Sequence, residues 1–241
     1  MVYLDHTDNA VARLGRALAA IAAWRAPPVV TPPAREFFAE LARVWPDGRE
    51  ARGMADVASR DPNRVGRGAR VLAGTPVFDA LLRAGVSATV VAAGGQSNVI
   101  PTEATATLNL RTLPGQSVDA VVRRLRAAVA DPHVALEVAE RGEDSPASDF
   151  RSPMFRAIAD AARALDPAIA VVPYMSTGAT DSARLRQWGM QAFGVLPFPM
   201  DQGDEDRMHG HDERVPVESL LFGTRLIHGA VLRVAAPDAS S

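Results

Sequence analysis

The chain has 241 residues, 47% of them hydrophobic, with 26 basic against 28 acidic side chains for a net charge of -2, which is enough apolar material for one large domain or two modest ones. Every basic residue is arginine, which excludes a Schiff-base lysine, a P-loop lysine and a lysine general base. Cysteine is absent too, so disulfides, thiol nucleophiles, thiolate zinc fingers and iron–sulfur clusters are excluded, and any metal must bind imidazole and carboxylate.

Asp8 and Asn9 are placed to cap a helix over Ala10–Trp24, with Val11, Leu14, Leu18 and Ile21 at helical spacing. Prolines 27, 28, 32 and 33 end it. From Arg35 to Leu82 the pattern is helical but broken, at Pro46 to Gly48, at Pro62 and at Gly66 to Gly68, and it carries no obvious chemistry. The arginines between Arg49 and Arg70 are interleaved with Glu50, Asp56 and Asp61, which fits a solvated helical face and no nucleic-acid stripe. From Val86 to Val91 and from Ala104 to Leu110 the small, β-branched, alternating composition predicts two strands. The polar loop Gly94-Gly95-Gln96-Ser97-Asn98-Val99-Ile100-Pro101 joins them. Ser117 then caps a helix carrying Val118, Val121, Val122 and Leu125, and His133 to Glu140 alternates as a third strand.

Residues 141–148 read as a linker, after which the rhythm becomes that of an α/β layer. Met154–Leu165 is predicted helical. Ala168–Val172 and Gln191–Val195 are predicted strands, 197–212 an acidic loop, and Val217–Val234 a closing amphipathic helix. The turn at 174–181, between a strand and a helix, is of the kind that binds anions. No stretch approaches the ~20 apolar residues of a membrane span, and Asp5, His6, Asp8 and Asn9 stand where a signal peptide would be basic, so a cytoplasmic location is expected.

Five histidines leave few nitrogen ligands, and two of them fall in Asp206-Arg207-Met208-His209-Gly210-His211-Asp212-Glu213-Arg214. On local composition alone, a zinc-type ligand set and a solvated loop with two titratable histidines both stand. A serine-hydrolase reading fails, because Gly95-Gln96-Ser97-Asn98-Val99 lacks the second glycine of a nucleophile elbow. A dinucleotide-binding reading of Gly66-Arg67-Gly68 fails for want of a preceding strand and a third glycine.

The succession of His209 to Val215, the run Gly178-Ala179-Thr180-Asp181-Ser182 about 30 residues earlier, the loop 94–101 and Leu108-Asn109-Leu110-Arg111 resembles the co-catalytic zinc exopeptidase and aminoacylase family. The resemblance implies an α/β chain: an α+β ferredoxin-like lid over 1–146, lacking its first strand, and the C-terminal part of an α/β/α catalytic domain over 147–241. It implies a two-zinc amide hydrolase acting on a small carboxylate-bearing substrate such as a dipeptide or N-acyl amino acid, assembled as a homodimer through the lid. By position, His209 would bind one zinc, with His211 a loop residue. Asn98 and Arg111 would hold substrate, as an amide and a guanidinium fork can; the plainer alternatives are a turn-shaping asparagine and a surface ion pair. Gly178 and Thr180 would offer backbone and hydroxyl groups to the bound acid end, against a simple helix cap.

The family's His-x-Asp pair, bridging aspartate and Glu-Glu base are not found in these 241 residues, and His6 lacks the Gly-His context of the family's oxyanion histidine. The expectation is a chain that is catalytically silent on its own, with a weakened lid. A non-catalytic dimerisation or binding module is the alternative.

Overall fold

The computed structural model describes residues 8–46, 48–142, 145–176 and 180–236. Helix α1 spans Ala10–Ala23, one residue short of the sequence expectation, and Asn9 Oδ1 caps it by accepting from the Ala12 amide at 2.9 Å. Strands β1 (Gly85–Ala93) and β2 (Ala104–Arg111) form an antiparallel hairpin whose register runs from Gly85 opposite Arg111 to Ala93 opposite Ala104, with an irregularity between Ala88 and Val90. Its inner side chains, Val86, Leu108 and Leu110, lie on Ile21, Ala26 and Ala84 and on Val121 and Leu125 of a further helix, Val118–Val129. Burial of each fully enclosed side chain, such as Leu125, contributes about 1.5–3 kcal/mol.

Arg13 ties the start of α1 to the loop after that second helix, meeting Asp8 at 2.5 Å and Asp131 at 3.0 Å. The Asp131 carboxylate accepts from the His133 amide at 2.9 Å, and that bond, ahead of the Arg13 charge, holds its carboxyl below the ordinary range. A depressed folded pKa stabilises the fold above the ordinary carboxylate value and loses that contribution as pH falls through the folded value. Asp131→Asn is therefore expected to flatten the acid limb of the stability–pH curve below about pH 4. An acid limb identical to that of the unsubstituted chain would refute this clamp.

Between α1 and the hairpin lies a helical unit of α2 (Pro32–Val44), α3 (Arg49–Ala58), α4 (Pro62–Leu72) and α5 (Pro76–Ala80). Three of the four begin on proline, whose missing amide costs nothing at a helix start. The breaks expected near Pro46 and Pro62 occur, but α4 runs straight through Gly66 to Gly68. The reason is packing: a Cβ on Gly68 would lie 2.4 Å from the Gly53 carbonyl oxygen, so the glycine lets two helices touch backbone to backbone. Phe37, Phe38, Met54, Val57, Leu72, Phe78 and Leu82 fill the unit's centre. Glu50 crosses its edge, accepting from Trp45 Nε1 at 3.2 Å and Thr75 Oγ1 at 2.7 Å.

With these elements the helix Val118–Val129 is α6, followed by α7 (Pro153–Leu165), α8 (Ser182–Gln187), α9 (Gln202–Glu205) and α10 (Val217–Ala235). Helices α7 and α10 pack through Ile158, Ala161, Ala162, Leu226 and Ala230, with Ile169, Val171 and Phe193 against them. The two-part division expected at 146/147 thus meets three apolar clusters, and the middle one also takes in Val172 and Met175 from beyond that boundary.

The expected strands at His133–Glu140, Ala168–Val172 and Gln191–Val195 do not form; among the described residues the β1–β2 hairpin is the only sheet. Alternation places a side chain, but a strand also needs a neighbour's backbone. Residues 134–138 keep the alternating exposure and Leu136 packs on the core beneath the hairpin, held by the Arg126 guanidinium on its carbonyl rather than by a ladder. At Ala192 a side chain substitutes for a strand: Ser148 Oγ donates to the Ala192 carbonyl at 2.7 Å and accepts from its amide at 3.2 Å. Among the described residues no helix is long and apolar enough to cross a membrane.

Candidate functional site

Asn98 lies on the loop that closes the β1–β2 hairpin, exposed, beside a shallow depression of about 450 Å³. Asn9, Val11 and Ala12 from the start of α1 and residues 97–101 line it. Arg111 is at the other end of the same hairpin, exposed, with its Nε donating to Asn109 Oδ1 at 3.3 Å. From Ala104 to Arg111 the strand covers roughly 24 Å at the usual rise. The hairpin tip meets the first residues of α1, whereas Arg111 pairs with Gly85 near the end of that helix's path. Within one chain the two side chains are not brought together around a small substrate.

Thr180 is exposed just before α8; Gly178 and His6 lie outside the described residues. Segment 145–149 is fastened to α8 and to the residues just beyond it: Ser145 Oγ donates to the Ala183 carbonyl at 3.1 Å, Arg186 Nε donates to Ser145 Oγ at 3.1 Å, and Gln191 Oε1 accepts from the Asp149 amide at 2.7 Å. The linker expected from composition is thereby anchored to the α8 region that comes after Thr180.

His209 is on the turn after α9, exposed, with left-handed backbone at φ +62°, and Asp212 repeats that conformation at φ +58°. Non-glycine residues adopt it rarely, histidine and aspartate more readily than most. A carboxylate that no sequence motif singles out organises the loop. Asp204 accepts from Arg214 Nε at 2.9 Å and from Arg207 Nη1 at 3.2 Å, and Arg214 reaches on to Asp212 at 3.1 Å. The hydrogen bond to Asp204 and the charges of Asp204 and Asp212 raise the Arg214 pKa above its ordinary value. The i,i+3 spacing of Asp204 and Arg207 was the available signal.

His211 is exposed on the same turn. Among the described residues no three His, Asp or Glu side chains are grouped to hold a metal ion. A catalytic zinc needs about three protein ligands, so the donors among the described residues do not fit that ion by themselves.

Residues 2–137, more than half of the chain, match the family described as peptidase dimerisation domain. Over 151 residues the chain is 30% identical to the probable carboxypeptidase S-like 2 of Dictyostelium discoideum, covering 62% of this chain and 29% of that protein. It is 30% identical over 153 residues to the N-fatty-acyl-amino acid synthase/hydrolase PM20D1 of Mus musculus, covering 62% of this chain and 30% of that protein. It is 32% identical over 148 residues to the putative succinyl-diaminopimelate desuccinylase DapE of Mycobacterium tuberculosis, covering 60% of this chain and 37% of that protein. The chain thus spans about a third of the length of the curated relatives it matches. No solved structure matches it.

The match over residues 2–137, with relatives named carboxypeptidase, hydrolase and desuccinylase, defines the class as that of a peptidase dimerisation domain. The chain belongs to the M20 family of zinc exopeptidases and aminoacylases.

Proposed function

We propose that this chain contributes the lid and the C-terminal site residues of a zinc-dependent hydrolase that cleaves an amide bond in a small carboxylate-bearing substrate, a dipeptide or an N-acyl amino acid. One observation carries the reading: relatives named carboxypeptidase, N-fatty-acyl-amino acid synthase/hydrolase and desuccinylase each align over about three fifths of the chain. Splitting an acyl–nitrogen bond beside a carboxylate is the chemistry those names share.

In this reading Arg111 binds the substrate carboxylate through its guanidinium fork, and Asn98 supplies an amide donor and acceptor. The hairpin register sets them too far apart for one protomer, which favours a homodimer through the lid, each site taking Asn98 from one copy and Arg111 from the other. Gly178 and Thr180 hold the substrate's other end. His209 is one metal ligand of a centre that needs donors besides those of the described residues.

Hydrolysis requires activated water, and one imidazole does not hold the ion that would activate it. The isolated 241-residue chain, dialysed against zinc, is expected to retain less than one tightly held ion and to leave N-acyl amino acids uncut. Two tightly held ions per chain together with turnover would overturn the reading.

The match of residues 2–137 to a dimerisation domain also supports a second reading, a non-catalytic dimerisation or binding module. Sedimentation of the metal-free chain tests it: a dimer that neither zinc nor substrate perturbs supports the module, and a monomer removes both the module and the shared site.

A further inference from the structure

Helix α8 is six residues long, none of its side chains is buried, and none joins the apolar clusters around Phe38, Val121 or Leu226. A helix this short is not stable by itself in water. Its first turn nevertheless bonds back to Thr180, whose carbonyl accepts from the Ala183 amide at 3.2 Å. Polar contacts fasten it, and they come from the chain that leads into α7. Ser145 Oγ donates to the Ala183 carbonyl and accepts from Arg186 Nε, both at 3.1 Å. The same guanidinium reaches past the end of the helix, its Nη1 donating to the Ala192 carbonyl at 3.2 Å. That carbonyl also accepts from Ser148 Oγ at 2.7 Å, so both of its lone pairs are used. The next residue, Phe193, has its ring 5.8 Å from that of Phe155 and packs on the α7–α10 core.

A planar guanidinium whose fork spans two acceptors on separate segments fixes an angle as well as a distance, which a single hydrogen bond does not. We propose that Arg186, seated on Ser145, is a positioning residue that sets α8, and with it Thr180, against the start of α7. Ser145 holds the first turn of the helix at Ala183, three residues after Thr180. Arg186 and Ser148 together hold Ala192, where the chain rejoins the α7–α10 core. The helix that follows Thr180 is thus pinned before and behind to one stretch, 145–149, and moves only when that stretch does. The functional meaning rests on the reading of Thr180 as a substrate-binding residue; the staple itself does not.

Hydrogen exchange of the full chain, read by mass spectrometry, tests this without substrate or metal. Arg186→Leu removes both donors and is expected to speed exchange across 183–192 about tenfold, the net worth of one to two ordinary hydrogen bonds. Ser145→Ala should speed it less, about threefold, since the guanidinium keeps its hold on Ala192. Ser145→Thr restores the hydroxyl and should return exchange to the parent's rate. Because α8 joins no apolar cluster, the urea midpoints of all three variants are expected to match the parent's, with exchange in α7 and α10 unchanged. Unchanged exchange across 183–192 in Arg186→Leu would overturn the proposal. So would a lowered midpoint with faster exchange throughout α7 and α10, which would make Arg186 a support of the whole fold, or a Ser145→Thr that exchanges as fast as Ser145→Ala. Thr180→Val separates the two readings, because the Thr180 side chain takes no part in the bond to Ala183. Its exchange should equal the parent's; an affinity for N-acetylalanine that it also leaves unaltered would remove the substrate role of Thr180 while the staple stands.

Discussion

Gly68→Ala is expected to destabilise the helical unit α2–α5 by about 3 kcal/mol, the upper end of the usual cost of overpacking. The added Cβ would lie 2.4 Å from the Gly53 carbonyl oxygen, 2.8 Å from the Val57 amide nitrogen and 2.9 Å from Val57 Cγ2. Two of those three atoms are backbone, so no rotamer change relieves the clash and α3 must move away from α4. That opens a gap beside Met54, Val57 and Leu72, all fully buried. Gly66→Ala, two residues away on the same helix, is the control: its Cβ would meet nothing nearer than Arg70 Nη1 at 3.8 Å. Helix propensity then gives a gain of up to about 1 kcal/mol. Urea unfolding followed through Trp45 fluorescence, with Trp24 and Trp188 replaced by phenylalanine, reads both. If Gly68→Ala falls within about 0.5 kcal/mol of the parent, the close crossing of α3 and α4 is wrong.

That pair of glycines also shows where the sequence stopped being informative. Gly66-Arg67-Gly68 reads as a helix break, because glycine is a poor helix former. Nothing local reveals that Gly68 faces Gly53 on another helix, and only that contact explains its place. Caps are local, and the two read from the sequence, Asn9 for α1 and Ser117 for α6, accept backbone amides as expected, while Thr31, Asp61 and Ser152 cap α2, α4 and α7 in the same way without having been singled out. Strands divide the same way. The hairpin carries its own partner and was legible, while 133–140, 168–172 and 191–195 have strand-like side-chain patterns but depend on a distant edge that no local pattern can report.

The site was legible to a lesser degree. Motif order pointed to the family that the match over residues 2–137 establishes, and it marked Asn98, Arg111, Thr180 and His209 as candidates. Spatial relations were not available from motif order. Asn98 and Arg111, thirteen positions apart, stand at opposite ends of a hairpin, because a strand carries residues away from one another at about 3.4 Å each. Asp204 offered only its i,i+3 spacing to Arg207 as a signal; its second partner, Arg214, is joined to it only once the chain has turned at His209.

Phe38→Ala is expected to cost about 4 kcal/mol, within the range for removing a buried phenylalanine. Phe38 has no exposed surface and meets Phe37 at 5.1 Å and Phe78 at 5.9 Å, both nearly edge-on, so its loss empties a volume walled by rigid rings that cannot collapse into it. The same cluster takes in Val172 and Met175, so the damage should spread to the segment that leads toward Thr180. Phe38→Leu, which keeps most of the volume, should recover more than half of the lost stability. The expected record is a urea midpoint shifted down at unchanged slope for both variants, with hydrogen exchange across 180–187 faster in Phe38→Ala than in Phe38→Leu. A midpoint for Phe38→Ala close to the parent's would mean that the helical unit is not built around this ring, and with it would go the platform on which Val172 and Met175 pack.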